Sequence, residues 1–118
     1  MQARTRARLL TRYLESALKP VNLTPEQFSL LAAIAADRTQ NLKTMAQKTG
    51  HDVSTLSRTL SVIIRDGLVL SAPHPDDKRR KDLRLTVRGE IRLEEAMKLW
   101  RQSIDALPKG DEVGERNL

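Results

Sequence analysis

Apolar side chains recur every three or four positions along most of the chain, which is the spacing of an amphipathic helix. Polar residues, prolines and glycines interrupt this pattern at intervals that separate one helix from the next. The pattern therefore predicts a chain that is mainly helical. The predicted helices cover residues 3–19, 25–37, 42–49, 53–66 and 87–107.

Start and stop signals support these helices. Thr24 is suited to cap the second helix, with Pro25 at its first position and Gln27 completing a capping box. Gly50 is suited to end the third helix in a left-handed conformation. Further caps are expected from Asn41, Asp52 and Thr86. The apolar stripe of the fourth helix is predicted to consist of Val53, Leu56, Leu60, Ile63 and Ile64.

Two short apolar runs, residues 68–72 and 83–85, read as strands separated by a polar loop that contains two prolines. They predict a β-hairpin between the fourth helix and the last. The fold class expected is mainly α with a small β-hairpin, in the order α-α-α-α-β-β-α, a winged helix-turn-helix.

The composition of the chain excludes several classes of function. The chain has 118 residues, enough for one domain, and no cysteine, which excludes disulfides, thiolate chemistry and iron–sulfur clusters. Its two histidines cannot form a usual zinc site alone, so no metal and no cofactor is expected. The longest apolar run, residues 30–36, is too short to span a membrane, which favours a cytoplasmic protein.

The formal net charge of +6 is concentrated in two segments. Residues 1–23 hold five basic residues and one acidic residue, and residues 73–85 hold five basic and three acidic residues. Such a basic domain suits a polyanionic partner. With only three aromatic residues, the chain is poorly suited to stack single-stranded bases. Duplex DNA is therefore the expected partner.

The third and fourth helices are joined by three residues that include Gly50, which is the arrangement of a helix-turn-helix. The polar face of the fourth helix carries Ser54, Thr55, Ser57 and Arg58. Short hydroxyl groups and an arginine can enter a major groove and contact bases and phosphates. The alternative is a plain solvated face, but such faces are usually rich in Glu and Lys, which this one lacks.

The hairpin loop is the second DNA-binding candidate. Lys78, Arg79 and Arg80 form a basic tip directly after the helix-turn-helix, as the wing of such a fold does. Arginine is attracted to the negative potential of a minor groove. Asp77 lies two residues before Arg79 and is expected to orient its guanidinium group. The alternative is a disordered charged turn.

The first and last helices are the candidates for dimerisation. A long helix at the end of a small domain is expected to have little to pack on within its own chain, and Ile91 and Leu99 give it a second apolar edge. We therefore expect a partner helix from a second copy, although these side chains could also be core. The proposed dimer residues are Leu10, Leu14, Met97, Trp100 and Ile104.

Residues 23–107 resemble the MarR family of bacterial winged helix-turn-helix transcriptional regulators. The resemblance rests on Leu23-Thr24-Pro25-Glu26-Gln27-Phe28, Met45-Ala46 through Gly50, Ser54-Thr55-Leu56-Ser57-Arg58, Asp66-Gly67-Leu68-Val69, Pro75-Asp76-Asp77-Lys78-Arg79 and Leu83-Arg84-Leu85-Thr86 through Gly89. Its most specific part is Asp77-Lys78-Arg79 followed seven residues later by Thr86.

The resemblance implies a homodimeric repressor that binds pseudo-palindromic DNA and is released by a small aromatic or anionic effector. It implies that Ser54, Thr55, Ser57 and Arg58 face the major groove and that Arg79 is the wing-tip arginine. It also implies an assignment of segments. Dimerisation falls to residues 1–22 and 86–107, DNA binding to residues 23–85, and a flexible tail to residues 108–118.

The chain departs from the family pattern at two points. It is expected to lack the last C-terminal helix of the family, and Arg80 stands where the family often has a small residue. The main alternative function is a winged-helix protein-interaction module without DNA binding, although such modules often lack a basic wing. An enzyme is not expected, because no acid, base and nucleophile converge.

Overall fold

The computed structural model describes residues 2–37 and 39–107. Its elements, in chain order, are α1 Gln2–Leu18, α2 Pro25–Ala36, β1 Thr39–Gln40, α3 Leu42–Thr49, α4 Val53–Arg65, β2 Val69–Pro73, β3 Lys81–Leu85 and α5 Val87–Ala106. The predicted helices and hairpin are confirmed in the predicted order. Two short elements were not predicted: strand β1, and a 3-10 helix, Lys19–Val21, that continues α1. The predicted tail, residues 108–118, lies outside the described residues.

The predicted capping residues begin their helices as expected. The backbone N–H of Gln27 donates to Thr24 Oγ1 at 3.1 Å, and the backbone N–H of Thr24 donates to Gln27 Oε1 at 3.0 Å. Asn41 Oδ1 accepts from the backbone N–H of Lys43 at 2.8 Å. These bonds satisfy backbone donors that have no partner inside the helix, so they set where each helix starts.

The three strands form one antiparallel sheet in the order β1-β3-β2. In the hairpin, Val69 pairs with Leu85 and Pro73 pairs with Lys81. Strand β1 pairs with the start of β3, where Thr39 lies opposite Asp82. The central strand β3 is therefore held from both sides where it leaves the wing loop.

The core lies where α2 meets the other elements. Helix α2 contacts α1, α3, α4, α5 and strand β3, so it is surrounded on most sides. The largest fully buried side chains come from all parts of this junction. They are Leu18, Leu30, Leu31, Ile34, Met45, Leu56, Ile63, Leu68, Val69 and Leu83.

Helix α5 packs against α1 and α2 of its own chain. Ala96 is fully buried and Leu93 is 7% exposed. Leu99 is half-buried against the core, whereas Ile91 remains exposed. The expectation that the last helix has little to pack on within its own chain is therefore wrong, because α1 folds back along it. Among the described helices, none combines the length and apolarity needed to cross a membrane.

Candidate nucleic-acid interface

The turn between α3 and α4 is defined by local hydrogen bonds. Gly50 adopts a left-handed conformation, with φ of 76°, and its N–H donates to the carbonyl oxygen of Ala46 at 2.9 Å. Two residues later, Asp52 caps α4 by accepting from the backbone N–H of Thr55 at 2.7 Å. Met45 and Leu56 are buried behind the turn. The two helices are thereby held in the helix-turn-helix arrangement that the sequence predicts.

The outer face of α4 is open to solvent. Ser54, Ser57 and Arg58 are exposed, and Thr55 is half-buried. The hydroxyl of Ser54 donates to Asp52 Oδ1 at 2.9 Å, which leaves its oxygen as an acceptor. The structure thus places three of the four predicted recognition residues on one accessible surface, with Thr55 at its edge.

Asp52 is a charged group at the start of this face that the sequence interpretation treated only as a cap. The hydrogen bonds it accepts, chiefly from the backbone N–H of Thr55, hold its pKa below the ordinary aspartate value. Asp52 is therefore ionised throughout the neutral range. Its negative charge next to the helix N-terminus is favoured by the helix dipole.

Val53 does not occupy the position that the apolar period predicts. Its side chain is 45% exposed, whereas Leu56 and Leu60 on the same predicted stripe are 1% and 3% exposed. The assignment of Val53 to the apolar stripe is wrong, because the first turn of α4 extends beyond the part of the helix that covers the core.

The wing loop contains a hydrogen-bonded turn built around Asp77. Its Oδ1 atom accepts from the backbone N–H of Arg79 at 3.0 Å and from Arg79 Nε at 3.3 Å. The backbone N–H of Arg80 donates to the carbonyl oxygen of Asp77 at 3.0 Å. Chiefly because of the bond from the backbone N–H of Arg79, the pKa of Asp77 lies below its ordinary value. The contact that the sequence predicts between Asp77 and Arg79 is present.

Asp77 also holds a second arginine, which the sequence interpretation missed. Arg80 Nε lies 3.8 Å from Asp77 Oδ2, so each carboxylate oxygen faces one guanidinium group. The Arg79 side chain remains 85% exposed and that of Arg80 52%. Lys78 is exposed between Asp77 and Arg79. The wing therefore presents its three predicted cations to solvent, two of them paired with Asp77.

A hydrogen-bonded junction joins the end of α4 to the start of α5. The Thr86 hydroxyl donates to the carbonyl oxygen of Gly67 at 2.6 Å and accepts from the backbone N–H of Gly89 at 3.0 Å. The backbone N–H of Thr86 donates to the carbonyl oxygen of Leu68 at 3.0 Å. The predicted cap Thr86 thus also anchors the hairpin to the last helix.

The predicted dimer residues lie on both sides of the contact between α1 and α5. Leu10 is 42% exposed, Met97 is 42% exposed and Ile104 is 44% exposed. Leu14 and Trp100 are half-buried. Three of the five predicted dimer residues are therefore exposed, and the other two are partly covered by their own chain.

Trp100 has an aromatic partner in its own chain. Its ring centroid lies 5.1 Å from that of Phe28, with 44° between the ring planes. Together with Met97, Arg101 and Ile104, this pair lines a shallow cavity of about 340 Å³ between α2 and α5. The cavity combines two aromatic side chains with one arginine.

Metal chemistry has no obvious site in the part of the chain that the structure describes. No three residues among its His, Asp and Glu side chains come together as a metal-binding group. The site residues described above are instead cations and hydroxyl groups, which suit phosphates and base edges.

Comparison with known proteins agrees with this geometry. Residues 21–80 match the sequence model of the MarR family. The chain is similar to the HTH-type transcriptional regulator BilQ of Clostridioides difficile strain CD3, with 32% identity over 78 residues. That stretch covers 66% of this chain and 53% of BilQ. The chain therefore spans about half the length of this curated relative.

Solved structures resemble the whole described fold. The M. tuberculosis transcriptional regulator MosR in complex with DNA has a TM-score of 0.75 and 33% identity, covering 98% of this chain and 86% of that chain. The transcriptional repressor CouR, bound to a 23-mer DNA duplex, has a TM-score of 0.79 and 28% identity, covering 96% and 83%. These similarities confirm the predicted winged helix-turn-helix class.

Proposed function

The chain belongs to the MarR family of transcriptional regulators, and from that premise we propose that it is a homodimeric repressor that binds pseudo-palindromic duplex DNA. Members of this family are regulators and not enzymes, as the sequence predicts. A repressor of this kind would act in the cytoplasm, on the nucleoid. The proposal also assigns a role to each segment. Residues 23–85 bind DNA, and residues 1–22 and 86–107 form the dimer.

The observation that carries the proposal is the exposed face of α4. Ser54, Ser57 and Arg58 lie in the first half of α4, the second helix of the helix-turn-helix. Their surface is covered by no other described element. Arg58 is suited to a bidentate contact with guanine O6 and N7, and the serines to bases or phosphates. Similarity to regulators whose structures contain DNA supports this use of the face.

The wing supplies the second contact in this proposal. Arg79 and Arg80 are exposed, and their Nε atoms lie 3.3 Å and 3.8 Å from the carboxylate oxygens of Asp77. A guanidinium group held in one orientation loses less conformational entropy on binding than a free one. We propose that Arg79 enters the minor groove and that Lys78 and Arg80 contact phosphates.

Selection of bound duplexes from a random pool is the first test. It is expected to return a sequence with two-fold symmetry and half-sites about one helical turn apart. Asymmetric or unspecific sequences would contradict the proposal. Binding should also weaken steeply with salt, because phosphate contacts release counterions. A flat salt profile would favour the protein-interaction module instead.

Arginine variants on the selected duplex test the residues. Arg58→Ala and Arg79→Ala should each weaken binding by about 1–3 kcal/mol, the value of one good groove contact. Lys98→Ala is the matched control, because Lys98 is an exposed cation in the second half of α5 and belongs to no site proposed for this chain. An equal loss in all three variants would indicate a general effect of charge and would refute the assigned roles.

Dimerisation is supported by the exposed apolar side chains of α1 and α5. Leu9, Leu10, Met97 and Ile104 are between 42% and 59% exposed. Burying such side chains between two copies is favourable by about 25 cal/mol per Å² of apolar surface. Sedimentation at micromolar concentration should find a dimer, and a Leu10→Glu variant should shift it toward monomer. A monomeric wild-type chain would contradict the two-fold model.

The aromatic cavity between α2 and α5 supports an effector. A small aromatic anion would stack near Phe28 and Trp100 and pair with Arg101. Benzoate should quench the fluorescence of Trp100, the one tryptophan in the sequence, and weaken binding to the selected duplex. Arg101→Ala should lose this response, and acetate is the control anion. No response to aromatic carboxylates would contradict this part.

A further inference from the structure

Val53 is an apolar side chain exposed at the start of the proposed recognition helix. It is the first residue of α4 and is 45% exposed, although two side chains further along the same helix, Leu56 and Leu60, are buried. Valine is a weak helix former because its branched side chain is restricted, and the first helical position favours proline or an acid.

Val53 shares a face of α4 with proposed recognition residues. Ser57, one of the proposed recognition residues, follows Val53 at four positions, which places the two next to each other along the helix. Ser54, the next residue, is exposed as well. An apolar group therefore stands among short polar groups on the surface proposed to enter the major groove.

The major groove offers one apolar group among its base edges, the C5-methyl group of thymine. The other groups there are hydrogen-bond donors and acceptors, which lose water without compensation against a valine. We propose that Val53 is a specificity-determining residue that contacts the C5-methyl group of one thymine in each half-site. This inference rests on the proposed DNA-binding function and adds a base preference to it.

Replacing thymine by deoxyuridine tests the contact without changing the protein, since it removes the methyl group and leaves the base-pair hydrogen bonds intact. Each thymine of one half-site in the selected duplex is replaced in turn. Wild-type affinity should fall about fourfold at one of these positions, as expected for one methyl group removed from an apolar contact. The other positions should change little.

The protein variants complete a double-mutant cycle. Val53→Ala should bind the thymine duplex more weakly than wild type and should no longer discriminate thymine from deoxyuridine at the responding position. Val87→Ala is the matched control, because Val87 is also the first residue of a helix and is 73% exposed. It should retain the full fourfold discrimination.

The outcomes distinguish failure of the thymine contact from failure of the proposed DNA-binding function. If the wild-type chain binds no duplex, the proposed function itself fails. If it selects a sequence but no thymine responds to loss of its methyl group, the contact is refuted. The contact is also refuted if Val53→Ala discriminates as wild type does. Circular dichroism of Val53→Ala should match wild type, since the side chain is largely outside the core.

Discussion

Gly89 lies where the first turn of α5 crosses the start of the hairpin, and it has no room for a side chain. A Cβ atom built on it would lie 2.0 Å from the carbonyl oxygen of Leu68, 3.0 Å from its carbonyl carbon and 3.3 Å from its Cα atom. These are backbone atoms, which cannot rotate away as a side chain can. We expect Gly89→Ala to destabilise the chain.

The magnitude follows from how far the two segments must separate. Ordinary contact requires about 3.4 Å, so α5 and Leu68 would have to move apart by more than 1 Å. That movement stretches the hydrogen bonds of Thr86 to Leu68 and Gly67, each worth about 1 kcal/mol. Overpacking increases the destabilisation by about 1–3 kcal/mol. The higher helix propensity of alanine reduces it by about 1 kcal/mol. The net loss is about 2–4 kcal/mol.

Urea and thermal unfolding followed by circular dichroism measure this loss. For a chain of this length, about 2–4 kcal/mol corresponds to a fall in Tm of roughly 8–16 °C. Gly50→Ala is the control, because Gly50 has a φ of 76° but no atom within 4 Å of an added Cβ. Its strain should cost about 1 kcal/mol. A Gly89→Ala protein as stable as wild type, or more stable than Gly50→Ala, would refute the reasoning.

Trp100→Ala should lower the free energy of unfolding by about 2 kcal/mol, because its half-buried contact with Phe28 joins α5 to α2; an unchanged urea midpoint would contradict this. Asp52→Asn should keep neutral-pH stability, since asparagine caps equally well. The pKa of Asp52 is lowered on folding, so its contribution is complete above the unfolded-state pKa and lost as pH falls through the lower folded-state value. Acid unfolding of the variant should therefore be shallower than that of wild type, and equal acid sensitivity would exclude this cap as a cause. Asp77→Asn should increase the mobility of the Arg79 Nε group in NMR relaxation, because a charged acceptor is lost; unchanged order would argue against Asp77 as its support.

Helix boundaries were predictable where a side chain bonds to backbone a few residues away. Thr24 and Gln27 form hydrogen bonds with each other, three residues apart, and Asp52 accepts a hydrogen bond from Thr55 at the same spacing. Such bonds depend on local geometry, so residue type and spacing are sufficient to anticipate them. The contact of Asp77 with Arg79, two residues apart, belongs to the same class.

Strand β1 was not predictable in this way. It consists of two residues, Thr39 and Gln40, and forms by pairing with Asp82 and Lys81 about forty residues later in the chain. Two residues carry no detectable periodicity. Its existence depends on where α2 ends relative to β3, which is a property of the assembled fold.

The same distinction between local and long-range interactions holds for the candidate DNA-binding site. The polar face of α4 and the basic wing were readable from residue type and helical spacing, because one side of a helix can be traced along its sequence. The exposure of Val53 and the second ion pair of Asp77, with Arg80, were not. Both depend on which surfaces neighbouring segments leave uncovered and on how the loop folds back on itself.

By itself, the sequence determined the mainly helical class, the order of the elements, the caps and the location of the positive charge. Each of these follows from residues a few positions apart, whose interactions persist in any fold that contains the helix or the turn. Only the tertiary structure decided that α1 covers α5, that Trp100 contacts Phe28 and that Gly89 meets the backbone of Leu68. These contacts join segments far apart in the chain, and their distances are set by the packing of the whole core.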